Sequence, residues 1–425
     1  MQKDNTRGIY IHIPFCMSKC PYCDFYSVPG AKTGKIEAFA AALENEIDFY
    51  AERYAEKPIE SIYFGGGTPG LLNENCFERL MDALKMKFKI EEDVEVSMEV
   101  NPAAVTEDKL LAFRKAGLNR LSIGAQSFDD AVLKILGRIH KAGQITETVT
   151  AARNAGIDNL SLDLMFGISG QTIESWEKSV EAAIASAPEH ISLYSLEIMD
   201  NTRFARDCDK GIYHQTTEED DRKMYKISLE MMDAAGYRQY EISNAAKPGY
   251  ECRHNLRYWS MGEYMGLGPS AHSFLNGTRY SNIPDVDAYI LSEGRLAVCD
   301  YTVNTQSDNI SEYIFTGLRK TAGIDKADFR GKFGRDIWDF YPEGKKEFSI
   351  FVNGGFAEED ETPDGCENDQ CIIINGDFSG RGILVGGCDA KLTYGCACAC
   401  TDQNQKLLQC HRFEEKDNVR QCRQA

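Results

Sequence analysis

The chain of 425 residues is long enough for one large domain and a smaller one. Charged residues make up 27% of it, ordinary for a globular protein, but the balance is acidic, with a formal net charge of -19 and a pI of about 4.9. Such a chain repels phosphate backbones and no basic patch interrupts it, which excludes nucleic acid as a partner class.

Six β-rich runs, Gly8–Ile13, Ile59–Phe64, Val94–Val100, Arg120–Gly124, Asn159–Phe166 and His190–Leu196, alternate with helical periodicities. The helices are expected over Lys35–Arg53, Glu74–Lys87, Thr106–Ala116, Gly143–Ala155 and Thr172–Ser186. In the first of them Ile36, Phe39, Ala40, Leu43, Ile47 and Tyr50 share one face. Repeated strand–helix alternation implies parallel strands joined by right-handed crossovers. The fold class is therefore α/β: an open or partial (β/α)6 barrel, with a doubly wound sheet as the alternative. This core spans residues 1–216. Beyond it lie a long helix over Thr217–Ala235 and a loop-rich stretch, Glu241–Phe274, within an extension reaching residue 305. A small helical or winged domain follows over residues 306–357, with helices at Ile310–Thr321 and Asp325–Phe333 and a short strand near Phe348–Phe351. Residues 358–425 form an atypical tail, in which eight of the chain's 15 cysteines fall between Cys366 and Cys422.

No apolar stretch of signal-peptide length precedes the first strand, and no run of about 18 apolar residues occurs. A cytoplasmic protein is expected, in which clustered cysteines bind metal rather than form disulfides.

Residues 16–23 read Cys-Met-Ser-Lys-Cys-Pro-Tyr-Cys. Thiolates are the preferred ligands of iron–sulfur clusters, and a loop this short can wrap Cys16, Cys20 and Cys23 around one 4Fe-4S cubane. The next cysteine is Cys76, so one iron is left open for an exchangeable ligand. A zinc site is the competing reading. Gly65-Gly-Gly-Thr-Pro69 follows an apolar strand, where glycine lets backbone approach a ligand closely. Beside the cysteine loop it reads as a cradle for the amino-acid end of S-adenosylmethionine (SAM). Glu99 and Asp163 are suited to accept hydrogen bonds from SAM's ammonium or ribose hydroxyls, Arg138 to pair with its carboxylate, and Gln126 to supply a neutral polar contact. The cysteines, the glycine loop, Glu99, Gln126 and Asp163 are all expected at the C-terminal ends of strands, where barrels of this type carry their function.

Tyr10-Ile-His-Ile-Pro-Phe-Cys16, the cysteine loop, Gly65-Gly-Gly-Thr-Pro69, Glu99-Val-Asn-Pro102, Gly124-Ala-Gln-Ser-Phe128 and Asp163-Leu-Met-Phe-Gly167 together resemble the oxygen-independent coproporphyrinogen oxidase superfamily of radical SAM proteins. The resemblance runs from about residue 8 to about residue 355. It implies that Cys16, Cys20 and Cys23 ligate the cluster. It also implies that Tyr10, Gly66, Gly67, Thr68, Glu99, Gln126, Arg138 and Asp163 contact SAM. Chemistry in such proteins starts with reductive cleavage of SAM to a 5′-deoxyadenosyl radical. The decarboxylating oxidases typically carry a further cysteine two residues after the third ligand, where this sequence has Phe25. The Phe form is similar to the HemW-type heme chaperone branch, and His254-Asn-Leu-Arg-Tyr-Trp259 is similar to that branch's HNxxYW motif, associated with heme binding.

The resemblance therefore implies a heme chaperone, with heme as cargo and hemoproteins as recipients, respiratory and membrane-associated ones among them. Radical oxidative decarboxylation of coproporphyrinogen in porphyrin biosynthesis is the alternative. His254 is the implied heme ligand, with Cys252 and His272 as rivals. The sequence does not fix the oligomeric state, a homodimer included. Three readings of the end of the chain stay open: a frameshifted or foreign segment, a second metal site at Cys396, Cys398 and Cys400, or a neutral tail.

Overall fold

The computed structural model describes residues 5–102, 104–295, 298–354, 357–359 and 371–374. Six parallel strands form its centre: β1 (Arg7–Ile13), β2 (Ile59–Gly66), β3 (Ile90–Val100), β4 (Arg120–Gln126), β5 (Asn159–Phe166) and β6 (His190–Ser195). They lie side by side in sequence order within one sheet of 12 strands, as an open partial barrel requires. The crossover helices are Thr33–Tyr54, Glu74–Lys87, Glu107–Ala116, Ala142–Asn154 and Ile173–Ala185, each within two residues of its expected bounds at either end. Local chemistry sets their starts. Asn73, Thr106 and Thr172 each accept a hydrogen bond from the backbone N–H three residues on, at 2.8, 3.3 and 3.1 Å.

Alternation along each strand decides what the sheet encloses. On β1, Ile9, Ile11 and Ile13 are fully buried in the main core, while Tyr10 and His12 reach the cavity. On the first crossover helix, Ile36, Phe39, Ala40, Leu43, Ile47 and Tyr50 are all buried against that core. On β3, Glu95, Ser97 and Glu99 share the inner face, two residues apart. The outer layer is therefore apolar and the interior polar, and a polar interior is the matrix of a binding site.

The stretch expected to be loop-rich, Glu241–Phe274, is ordered. It holds a strand at Asn244–Ala246, a helix at Arg253–Trp259, and strands at Tyr264–Leu267 and His272–Leu275. Tyr264–Leu267 pairs parallel to β1 on its free side, so a further strand joins the six expected. These elements are shorter than a periodicity window resolves, and tertiary pairing holds them. The strand expected near Phe348–Phe351 is instead part of a helix, Pro342–Asn353. Pro342 stands in its first turn, where a missing N–H costs nothing, and Glu343 complements the helix dipole.

The small C-terminal unit packs Ile310, Tyr313, Ile314, Ile324 and Phe329 against Met261 and Phe274 of the extension. Strand Cys371–Ile374 pairs antiparallel with both Ile324–Asp325 and Ala357–Glu359, so chain from beyond residue 358 completes this unit's sheet. Cys396, Cys398 and Cys400 lie outside the described residues. Among the described residues no helix is long and apolar enough to cross a membrane.

Candidate cofactor-binding cavity

One cavity of about 1120 Å³ opens at the C-terminal ends of the strands. Every cluster and SAM residue expected from the sequence lines it, as do His254 and His272, whereas Cys252 does not. The cysteine loop closes on itself where Phe15–Cys16 pairs with Val28–Pro29, the Gly30 N–H donating to Cys16 O at 2.9 Å. Burial pushes the Cys23 thiol up to about 12 and the Cys16 thiol up as well.

The glycine loop is fixed from both sides. Gly66 has φ +103°, and a Cβ there would stand 2.4 Å from the His12 ring; at Gly67 it would stand 2.6 Å from Phe15 O. Only glycine fits. The successive amides of this loop are engaged. Gly66 N–H donates to Glu99 Oε2 at 3.2 Å, Gly67 N–H to Ile13 O at 2.9 Å and Thr68 N–H to Phe15 O at 2.7 Å. A ligand here meets carbonyl oxygens rather than N–H groups, which suits an ammonium.

Behind the loop, a chain of hydrogen bonds runs from one cysteine to another. Arg138 Nη1 donates to Cys20 Sγ at 3.7 Å, and its Nη2 donates to Gly124 O at 2.8 Å and to Asn101 Oδ1. Asn101 Nδ2 donates to Thr68 Oγ1 at 2.9 Å, and the Thr68 hydroxyl donates to Cys16 Sγ at 3.7 Å. Donors aimed at two of the sulfurs tune a cluster and fix its ligands' orientation. Asn101 was not singled out from sequence, although it stands in the quoted Glu99-Val-Asn-Pro102 motif; nothing local reveals that it meets Arg138, 37 residues away.

Glu99 accepts from Tyr63 Oη at 3.0 Å, yet burial and the nearby Asp163 carboxyl push it up to about 7. Burial raises Asp163 too, although the Ser122 hydroxyl donates to both of its oxygens at 3.0 Å. A cation placed beside these two carboxyls would favour their ionised forms, so the pair suits a ligand ammonium. Gln126, held at φ +63°, keeps a buried Oε1 with no partner. Arg120, 2% exposed and also missed from sequence, stands among Glu95, Glu99 and Asp163 as their shared countercharge. An orphaned acceptor, a cation receptor, a glycine-only cradle and convergent thiols fit a cluster with bound SAM.

The heme-motif residues sit differently from what the motif suggests. Glu95 caps helix Arg253–Trp259, accepting from the Arg253 and His254 amides at 3.0 and 3.2 Å. His254 is 1% exposed, with Nδ1 bonded to Ser61 Oγ at 2.9 Å and Nε2 to Tyr258 Oη at 2.8 Å. Its ring stacks on Tyr63 at 5.2 Å, and burial lowers it to about 3, so it is a neutral imidazole with both nitrogens engaged. Cys252 is fully buried, its thiol pushed up to about 12 by burial and bonded to Glu95 at 3.5 Å. Trp259 is buried beneath the Arg319 guanidinium, which lies 4.3 Å from its ring centroid. Tyr258 alone of the aromatic pair reaches the cavity.

Fold and site together define a radical SAM protein. The family model for the radical SAM superfamily matches residues 10–183, and that for the HemN C-terminal domain matches residues 304–358. Membership implies a 4Fe-4S cluster and SAM as cofactors. Heme chaperone HemW of Bacillus subtilis (strain 168) is 38% identical over 348 residues, covering 81% of this chain and 91% of the relative. Its counterpart in Lactococcus lactis subsp. lactis (strain IL1403) is 33% identical over 344 residues, covering 81% and 89%. The chain belongs to the HemW family. Coproporphyrinogen III oxidase (HemN) from Escherichia coli shares the fold, with a TM-score of 0.75 at 22% identity over 88% of each chain.

Proposed function

We infer that the protein takes up heme and passes it to recipient hemoproteins, working in the cytoplasm and serving respiratory and membrane-associated recipients among others. The single observation that carries this reading is the composition of the cavity. Besides the polar cofactor rim, its lining includes Tyr258, Tyr264, Phe274, Phe315 and Leu318. A planar, largely apolar macrocycle with polar edges matches such a lining. The HemW relatives carry the name heme chaperone, and Phe25 stands where a cysteine is typical of the decarboxylating oxidases, which agrees.

In this reading Cys16, Cys20 and Cys23 hold the cluster, and Tyr10, Gly66, Gly67, Thr68, Glu99, Gln126, Arg138 and Asp163 contact SAM. The cluster with its SAM supplies, on reduction, radical chemistry at the rim. The chain's own groups do the positioning. The carbonyls of the glycine loop and the Glu99 and Asp163 carboxyls would receive the ammonium, whose charge would favour the ionised form of the two carboxyls. Asn101 steers Arg138, whose charge suits a carboxylate. His254 keeps the Tyr258 hydroxyl in place beneath the aromatic wall.

Titration of the anaerobically reconstituted full chain with hemin tests the reading. A saturable Soret band, followed by transfer to an apo-hemoprotein, is expected. Catalytic conversion of coproporphyrinogen to protoporphyrinogen with SAM and reductant overturns it in favour of an enzyme.

A further inference from the structure

We propose that the basic pocket between the cysteine loop and helix Arg203–Asp209 is the docking surface for an acidic protein that carries one electron, and that the cluster is reduced from there. This rests on the cluster assigned to Cys16, Cys20 and Cys23 and names the side from which its electron comes. Two of these three thiols border two cavities. Cys20 and Cys23 line the large cavity and also a second pocket of about 270 Å³. The large cavity is the one that SAM and cargo fill. A reductant that works while they are bound needs a separate approach, and the second pocket supplies one.

The lining of that pocket is basic. Lys19, Arg203 and Arg206 contribute to it, and no acidic residue does. This is an exception in a chain of net charge -19. No run of the sequence marks the patch, because Lys19 and the two arginines stand far apart in the chain and only the fold gathers them. Phe204 N–H donates to Pro21 O at 2.9 Å, which ties the start of the helix to the cysteine loop. Phe204 is 4% exposed, packs with Tyr22 in one apolar cluster and stacks on Tyr213 at 4.2 Å between ring centroids. Thr202 caps the helix, its hydroxyl accepting from Ala205 N–H at 3.2 Å. Arg203 and Arg206 therefore stand on an anchored turn.

Their charges are left to act outward. Lys19 and Arg206 donate to the backbone oxygens of Phe25 and Asn201 at 3.1 and 3.4 Å, and among the described residues neither makes an ion pair. A carbonyl oxygen accepts a hydrogen bond without cancelling the charge. Arg203 pairs with Asp207 at 3.3 Å, but its side chain is 72% exposed against 16% for the acid. A pocket built to enclose a small anion buries its cations, whereas all three here are exposed. Exposed cations around an opening steer an approaching negative surface. Met17, in the same loop as Lys19, is 54% exposed and adds an apolar contact. Apolar surface beside a charged rim suits the small, short-lived contact that electron transfer uses. In the step itself the carrier loses one electron and the cluster gains it; no bond forms or breaks and no proton moves.

The test uses the full chain with its cluster reconstituted and SAM bound. The probe is an acidic flavodoxin in its hydroquinone form, and bleaching of the cluster is followed by stopped flow at low and high salt. Reduction of wild type is expected to slow steeply as salt rises. Arg203→Glu/Arg206→Glu is expected to be reduced at least about tenfold more slowly at low salt and to lose that salt dependence. Lys85→Glu/Lys87→Glu changes the net charge equally, on exposed positions of helix Glu74–Lys87, and is expected to stay within about twofold of wild type. The methyl viologen radical cation is expected to reduce all three proteins without that loss. Iron content and circular dichroism serve as folding controls. If the Arg203/Arg206 variant takes electrons from flavodoxin at the wild-type rate, the proposal is overturned. It falls equally if the Lys85/Lys87 variant slows as much, because overall charge then explains the effect. A wild-type cluster that viologen reduces and flavodoxin does not, at any salt, overturns the docking surface while the cluster stands. A wild-type chain that takes up no iron overturns the cluster reading itself.

Discussion

The two ends of the cavity are built in opposite ways. At the cluster end, short motifs supply the parts: three cysteines within eight residues, three consecutive glycines, and one carboxyl at a strand end. Backbone bonds fasten them to one another, as when Thr68 N–H reaches Phe15 O. At the aromatic end, the wall is gathered from Tyr258, Phe274 and Phe315, which belong to separate elements of the extension and the small domain, and from Tyr341 between two helices. A rim made from strand ends is stiff and tolerates little change. A wall made from side chains of several elements accepts substitution more readily. A cofactor that must be held in one orientation suits the first, and a cargo that must enter and leave suits the second.

Removing the thiols tests the division most severely. Cys16→Ala, Cys20→Ala or Cys23→Ala should each cut iron from about four per chain to nearly none after anaerobic reconstitution, while hemin binding at the far end persists. Iron and acid-labile sulfide assays with a parallel Soret titration check this. Retention of iron by the triple variant removes the cluster assignment.

Gly66→Ala probes the rim's rigidity. It adds a Cβ 2.4 Å from the His12 ring at φ +103°, and a loss of about 2–4 kcal/mol in unfolding free energy is expected. Denaturant titration measures it, and an unchanged midpoint would show that the rim yields.

Buried Glu46, which accepts from Gly268 N–H, Asn282 Nδ2 and Tyr289 Oη, makes the fold sensitive to pH. Burial raises Glu46 from 4.5 to about 7. The folded chain therefore holds a proton that the unfolded chain has released, and stability from this group falls as pH rises from about 4.5 to about 7. Glu46→Gln removes that dependence. Relative to wild type the variant should gain on the order of 3 kcal/mol across this window, read from melting curves at stepped pH. A parallel pH profile for the two proteins contradicts the assignment of the proton to Glu46.

Asn101→Ala should act most gently. With the link between Arg138 and Thr68 cut, the cluster still assembles, but SAM binding weakens by about ten- to a hundredfold. The reduced cluster's paramagnetic resonance should shift as well. An unchanged spectrum together with unchanged SAM affinity would make the chain of hydrogen bonds incidental.

Legibility followed the same division. The alternation of β1 to β6 with their helices was plain because each element carries its own period, and helix Glu74–Lys87 fell at its expected bounds. Strand Tyr264–Leu267 and helix Arg253–Trp259 were not seen, being too short to carry a period. Helix Pro342–Asn353 was partly mistaken for a strand because Phe348-Ser-Ile-Phe351 reads locally as an alternating apolar run.

The sequence by itself determined the class of fold and placed the cysteine loop and the polar groups around it at one rim, because motif spacing and strand ends are properties of neighbouring residues. Only the tertiary structure decided what each polar group is free to do. His254 reads from the sequence as a lone motif histidine, and only the fold shows Ser61, 193 residues away, on one of its nitrogens and Tyr258 on the other. Glu46 reads as one more charge on a helix until it is found buried beneath Gly268, 222 residues on. Hydrogen-bond partners and burial depend on residues far apart in the chain, and they set whether a side chain holds the fold or meets a ligand.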